Sequence, residues 1–429
     1  MEFFQSLGRL ITQRWKARNY NEKIFPEIAN DALTELPPYR HVNSWEIVEW
    51  ATKQTTLPPQ ADMEAKFGDP PLTVYSGRAF RIEALFWIRG LPAVHQHSFS
   101  GAFHVLEGSS IHSLWTFEPQ HRVAVRLILG RTEFQSAEIL LQGDTRPILA
   151  GDQMYHATYH LDKPSITIVV RTGSEADRQP QYTLLPPTVA YPQQDTINTV
   201  KRQNQILNML LASGQSRKYQ ELALHFCATQ DAYSLFQMLI STFVSIEDES
   251  DREQLLLIAR LKHPELMTAL EPVLRRQEIS SRIGRIRQSV IARDLKFFLA
   301  LLRNIPDRDI ILELVQQRYP HRDPITAVVD WVDQLSELDV LEVHFHESWL
   351  LMLRCLLTTS SASEAERAYM QHTPVPNGPS NESELRELSS ALQNYWLLNP
   401  LMAGAARPGR QDTVRPITAN AGGLAQAAH

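Results

Sequence analysis

The chain changes its hydrophobic period part-way along, and that change limits its architecture more than any single motif. From about 70 to 195, short runs rich in Val, Ile, Phe and Trp (80–87, 103–106, 111–117, 123–129, 137–141 and 165–171) are separated by Gly, Pro, Asp and Ser. A period of two buries one face of a strand and wets the other, so many short strands at this spacing predict a sandwich or small barrel. Pro180, Pro186, Pro187 and Pro192 then interrupt any regular element and mark a boundary. From about 195 to 398 the period is helical. Ile206, Leu207, Leu210 and Leu211 share one stripe, and similar patterning recurs at 235–243, 255–261, 295–302, 310–315 and 350–357. Roughly ten helices with short connections predict stacked helical hairpins, though no strict repeat in the letters demands a solenoid.

The expected organisation is therefore α+β and multidomain: a helical segment over 1–50, a β-barrel domain over 51–192, an α-helical domain over 193–398 and a disordered tail over 399–429. At the start, Phe3, Phe4, Leu7, Leu10, Ile11 and Trp15 repeat at helical spacing and predict one amphipathic helix packed on the body. A length of 429 residues suits two domains, and 43% hydrophobic with 21% charged residues excludes a largely disordered chain. A net charge of -6 lacks the basic surplus that phosphate binding needs, so no nucleic acid is expected as a partner. Two cysteines cannot build a disulfide framework, and no run nears the roughly 20 apolar residues that span a bilayer. No membrane partner and a cytoplasmic location follow as expectations.

Chemistry shows in the histidines. Of 15, seven (His95, His97, His104, His112, His121, His156 and His160) fall within 66 residues. In a strand, positions i and i+2 share a face, so His95 and His97 project into one space. Two imidazoles on one face are half of a metal site, and His156 or His160 on a later strand can supply the third ligand. The competing reading, a cross-strand surface pair, is the commoner fate of an isolated His-x-His; the flanking residues weigh against it.

Those flanks are Trp87, Gly90 and Pro92 before the pair, Ser100, Phe103, Leu106 and Gly108 after it, and later Gly151-Asp152 leading to His156. In these residues, over roughly 70–175, the chain resembles the cupin superfamily, a jelly-roll β-barrel fold. Within it the chain looks most like the thiol dioxygenases, the cysteine dioxygenase-like group. The resemblance implies a cupin domain holding one metal through His95, His97 and His156, with His156 preferred to His160 because it follows the Gly-Asp turn directly. It also implies Fe(II) as the leading cofactor, with Zn, Ni or Mn accepted by the same ligands, and a small, thiol-bearing substrate with O2. Two departures stand out. Positions where most cupins carry a Glu ligand hold Gly101 and Ala102, and the cysteine of the cysteine–tyrosine crosslink is replaced by Ala102. A site of three histidines without a crosslink is what remains, and cysteine itself is in doubt as the substrate.

Other residues carry weaker assignments. Arg78, Arg81 or Arg89 could clamp a substrate carboxylate, and Arg81 faces inward only if Phe80 faces out. Tyr155 and Tyr159 could bring a hydroxyl to the metal, with aromatic packing as the competing role. His104 is expected to face inward as a hydrogen-bond partner of a ligand, and Ser100 either to bond a ligand imidazole or to serve a turn. His112 and His121 read as surface residues. His344 and His346 point apart on a helix and are not expected to share a metal. Arg275, Arg276, Arg282, Arg285 and Arg287 read as a solvated helix face. The helical domain could form a lid, a homodimer interface or a partner-binding surface. Two readings compete with the dioxygenase: a non-catalytic metal- or ligand-binding cupin, and an isomerase or decarboxylase using another divalent metal.

Overall fold

The structure, a computed structural model, describes residues 1–60, 67–88, 93–173, 181–192, 198–372, 375 and 378–402. Arg89, the Gly90–Pro92 part of the motif, Pro180 and most of the expected tail, 403–429, lie outside the described residues.

Where one amphipathic helix was expected, three form: α1 (Glu2–Ala17), α2 (Phe25–Glu35) and α3 (Ser44–Lys53). The stripe Phe4, Leu7, Ile11 and Trp15 is the buried face of α1. An Asn43 and Glu46 capping box starts α3 by satisfying backbone N–H groups that the first turn leaves bare.

Eleven strands follow among the described residues: β1 (Pro71–Ser76), β2 (Phe80–Trp87), β3 (Val94–His95), β4 (Gly101–Glu107), β5 (Ser110–Ala124), β6 (Leu127–Leu140), β7 (Thr145–Ile148), β8 (Tyr155–His160), β9 (Ser165–Thr172), β10 (Tyr182–Leu185) and β11 (Val189–Pro192). The run at 123–129 is not a strand of its own; it crosses the tip of a long β5–β6 hairpin. The strands form a five-stranded sheet, β1-β2-β9-β4-β7, and a ring, β10-β11-β6-β5-β8-β3, closed by pairing of β3 with β10.

Alternation along the strands sorts the side chains into layers. Phe80, Ile82, Ala84, Ala102, Ile168 and Val170 on the outer face of the five-stranded sheet pack under α1 and α2. Phe99, Phe103, Val105, Leu140, Ile148 and Val169 fill the space between sheet and ring. Val94, Trp115, Ala157, Tyr182, Leu184 and Ala190 line the inside of the ring. The strands β3, β5 and β8 thus have two differently used faces, one toward the five-stranded sheet and one toward the ring interior.

Twelve helices, α4 (Asn198–Ala212) to α15 (Asn399–Met402), follow among the described residues. The last begins where the tail was expected, and Leu401 is fully buried, so ordered chain continues past 398. The longest, α8 (Pro264–Ser289), joins two helical cores. Its first half, with Leu270 and Leu274, packs with α4, α5 (Ser216–Thr229), α6 (Ala232–Thr242) and α7 (Glu249–Lys262) on Leu127, Leu129 and Val189 of the ring. Its second half, with Ile283 and Ile286, packs with α9 (Arg293–Asn304) on Ile111, Ile139 and Tyr159. The helical part therefore covers strand faces turned away from the five-stranded sheet, which is a backing rather than a lid. Arg275 and Arg285 of the arginine cluster are exposed as expected, but Arg276, Arg282 and Arg287 are not on a solvated face. Arg282 pairs with Glu342 and lies over Trp396, while Arg287 donates to the Leu161 and Lys296 carbonyls and so ties α8 to the β-domain.

No helix among the described residues is long and apolar enough to cross a membrane.

Candidate metal centre

Two turns bring the histidines together. His95 ends the short strand β3 and lies directly across from His156 on β8. His97, two residues on, makes a parallel bridge to Ala150, and its carbonyl accepts the Gly151 N–H at 2.8 Å. Gly151 does this at φ +69, a backbone state that costs glycine little and other residues more. The Gly-Asp turn is thus the hinge that fixes the second motif against the first.

The result is one group, His95, His97 and His156, with one nitrogen of each within 4.8 Å of the others and all three residues buried. Their hydrogen bonds select the nitrogens. His95 Nδ1 donates to the Ala93 carbonyl at 2.8 Å, which leaves Nε2 bare. His156 Nδ1 lies 3.0 Å from His112 Nε2, and His112 Nδ1 lies 3.0 Å from Glu138 Oε1. A carboxylate only accepts, so His112 donates through Nδ1; neutral His112 then accepts from His156 Nδ1–H, and His156 Nε2 is bare too. The Nε2 atoms of His97 and His156 are 2.8 Å apart. At that spacing both nitrogens could bind one ion at the usual length of about 2.1 Å.

Protonation favours the same assignment. Burial, followed by repulsion from neighbouring imidazoles, holds His97 and His156 well below the usual histidine range, and burial pushes His95 down to about 4. Hydrogen bonds from His112 and Arg146 hold the Glu138 carboxyl at about 2 although burial opposes this. Arg146 grips both Glu138 oxygens, Nε at 2.9 Å and Nη2 at 2.6 Å. Neutral imidazoles with bare Nε2 atoms on His95 and His156, and with His97 Nε2 turned to the same point, fit a divalent cation that displaces one proton as it binds.

The missing carboxylate has a steric cause. A Cβ on Gly101 would fall 1.9 Å from the Val170 carbonyl oxygen, so no Glu can stand there. Ala102 faces α1 and α2, away from the histidines.

Several expected residues are elsewhere. His104 shares the outer face of β4 with Ala102; it bonds Thr145 Oγ1 at 2.8 Å and stacks on Tyr39, so it is no partner of a ligand. His160 shares the face of His156 but lies four residues, about 13 Å, further along β8. There it contacts Ser110 Oγ at 2.9 Å and stacks on Trp87, which removes it as a third ligand of this group. Tyr155 and Tyr159 alternate with His156 and so face the other way. Tyr155 packs in the ring interior and Tyr159 in the helical core beneath Arg287, with no hydroxyl directed at the histidines. Arg78 is exposed. The backbone N–H of Ser100 donates to Thr172 Oγ1. His344 and His346 stand in a loop, not on a helix. His121 is on the surface, 3.4 Å from Glu265.

Phe80 does face out, so Arg81 faces inward, where Nε donates to Glu83 Oε1 at 2.6 Å. Arg171 lies directly across from Arg81, reaches Glu83 at 3.4 Å, and covers the Phe99 ring that packs on His97 at 4.5 Å. His112, expected on the surface, is instead buried between Glu138 and His156, and neither its pairing with Glu138 nor Arg171 was singled out from sequence. Strand parity gives the face of each, but the β5–β8 and β2–β9 registers that bring them to the site come only from the fold.

No family model matches this sequence, and no curated relative was found. Solved structures do match in part. Hydroquinone 1,2-dioxygenase from Sphingomonas sp. TTNP3 matches at 12% identity and TM-score 0.20, over 25% of this chain and 68% of its own. The DMSP lyase DddQ from Ruegeria pomeroyi DSS-3 matches at 19% and 0.21, over 36% and 76%. A structure of the DMSP lyases RdDddP and RnDddQII matches at 16% and 0.21, over 37% and 78%. Likeness at that level carries no conclusion about this chain's chemistry. The antiparallel sheets and the buried triad of histidines are what agree with the cupin expectation.

Proposed function

We propose that this protein is a mononuclear metalloenzyme of the cupin kind, holding Fe(II) through the Nε2 atoms of His95, His97 and His156, and that it oxidises a small thiol-bearing acid with O2. One observation supports this above the others: three buried, neutral imidazoles converge where backbone crowding at Gly101 forbids a carboxylate. When bound, a cation held only by neutral ligands supplies net positive charge that favours a thiolate, and Fe(II) supplies redox chemistry with O2.

The protein's own groups do the rest. Hydrogen bonds that His95 donates to the Ala93 carbonyl and His156 donates to His112 Nε2 hold two ligand rings in the metal-binding tautomer, so little ordering is needed when the ion arrives. Phe99 and Phe103 keep the surroundings of His97 and His156 apolar, which strengthens charge interactions there. Arg171, over Phe99, supplies a guanidinium that a substrate carboxylate can share with Glu83.

The test is O2 uptake by the Fe(II)-loaded full chain across a panel of small thiols. Uptake above an iron-only blank, with one O2 consumed per sulfinate formed and loss in His97→Ala, supports the reading. Turnover under anaerobic conditions would move the protein to the isomerase or decarboxylase class. Tight metal binding without turnover would make it a binding protein.

A further inference from the structure

A second site lies on the other face of the same strands. A cavity of about 230 Å3 opens where α8 and the end of α9 close over the ring mouth, lined among others by Trp115, Tyr159, Arg276, Gln277, Arg303 and Asn304. It is separate from the metal centre, because Trp115 and Tyr159 alternate with His112 and His156 along β5 and β8 and lie on the opposite face. Val94 and Ala157 also line it, each one residue from a ligand histidine on the opposite face.

Its charge is uncompensated. The Arg276 guanidinium lies 5.8 Å over the Trp115 ring, and no carboxylate pairs with it among the described residues. Arg303 donates to Ser280 Oγ and lies 5.9 Å over Tyr159, again with no acidic partner there. Burial works against the Arg276 charge, lowering its pKa with no acidic neighbour opposing the shift. The Gln277 Oε1 atom is buried without a hydrogen-bond partner. Buried cations are normally paired or hydrogen-bonded, so two guanidinium groups facing one aromatic-walled cavity leave room for an anion that the chain does not itself supply.

We propose that this cavity binds a small organic anion, with an oxyanion head on Arg276 and an apolar body of about one ring against Trp115 and Tyr159. The volume sets the size: a dry cavity of about 150 Å3 holds one benzene ring, and this one is somewhat larger. A carboxylate and a phosphate present the same fork of oxygens to a guanidinium, so both heads fit. The site would hold the helical part against the β-domain at the strands that carry the metal ligands.

Calorimetric titration of the metal-stripped full chain with benzoate, phenyl phosphate and neutral benzyl alcohol tests this. Both anions are expected to bind at least 10-fold more tightly than the alcohol, and the stronger of the two identifies the preferred head group. Arg276→Gln is expected to weaken the anions at least 10-fold while leaving the thermal midpoint of the unliganded chain unchanged or higher, since an uncompensated charge is removed. Gln277→Glu, which keeps the side chain's shape and adds a carboxylate to the cavity, is expected to weaken them as much. Alcohol binding equal to anion binding, no binding at millimolar concentration, or unchanged affinity in either variant overturns the proposal. His97→Ala is expected to leave the affinity intact; its loss there would place the anion in the metal centre instead and equally overturn it.

Discussion

A buried imidazole is useful to a metal only if its proton is on the far nitrogen, and at His156 that choice is made by His112 and Glu138. Such partners typically change metal affinity 10–100-fold. His112→Phe is therefore expected to weaken Fe(II) or Co(II) binding by that factor, and Glu138→Gln in the same direction, in competition titrations with a chromophoric chelator. Unchanged affinity in both would mean the relay is only packing. His160 gives a second prediction at this scale. Burial pushes it down to about 3, from about 6.5 in the unfolded chain. Its neutral form is thus favoured by folding, and its contribution is complete above about pH 6.5 and lost as pH falls toward 3. Between pH 7 and 5 the group alone should cost about 1–2 kcal/mol of stability, and His160→Gln should lose that share of the slope in urea midpoints at the two pH values. A variant with the same slope as the parent would rule it out as the source.

Elements impose conditions that no side chain can negotiate. Gly101 opens β4 where the backbone of β9 passes so close that any Cβ collides with a carbonyl. Gly101→Ala must push the strands apart, and a loss of about 1–3 kcal/mol is expected in chemical denaturation, in the range of other overpacked cores. A neutral result would mean the strands separate easily. At this scale much was legible beforehand: the run at 80–87 is β2, and the stripe of α1 is the stripe that is buried. The long β5–β6 hairpin was not, because its tip at Ala124–Leu127 carries apolar residues that packing against α4–α7 requires, and these read as strand interior. His112 looked superficial for the same kind of reason; alternation gives a face, but only the pairing of β5 with β8 shows what that face meets.

In the whole molecule, the helical part and the β-domain share their cores. Ile111, Ile139 and Tyr159 belong to one helical cluster, and Leu127, Leu129 and Val189 to the other. A fragment ending at 192 would leave all six exposed, a hydrophobic patch that monomeric domains rarely tolerate. Such a fragment is expected to aggregate or bind a hydrophobic dye strongly, and the full chain to unfold in one transition by far-UV dichroism and by tryptophan fluorescence. Two separated transitions, with a soluble fragment, would show that the parts are independent.

Period and turn chemistry are local properties, and they were enough to place β-structure before helices, to locate the His-x-His pair and to find the Gly-Asp turn ahead of His156. Everything that depends on which strand lies beside which was decided by the fold. The register of β8 on β3 and β5 put His156 beside His95 and left His160 about 13 Å away, and it gave His156 a relay partner in His112. The reason is physical: alternation fixes only which side of a strand a residue is on, whereas the neighbours on that side come from hydrogen-bonded pairing between segments far apart in the chain.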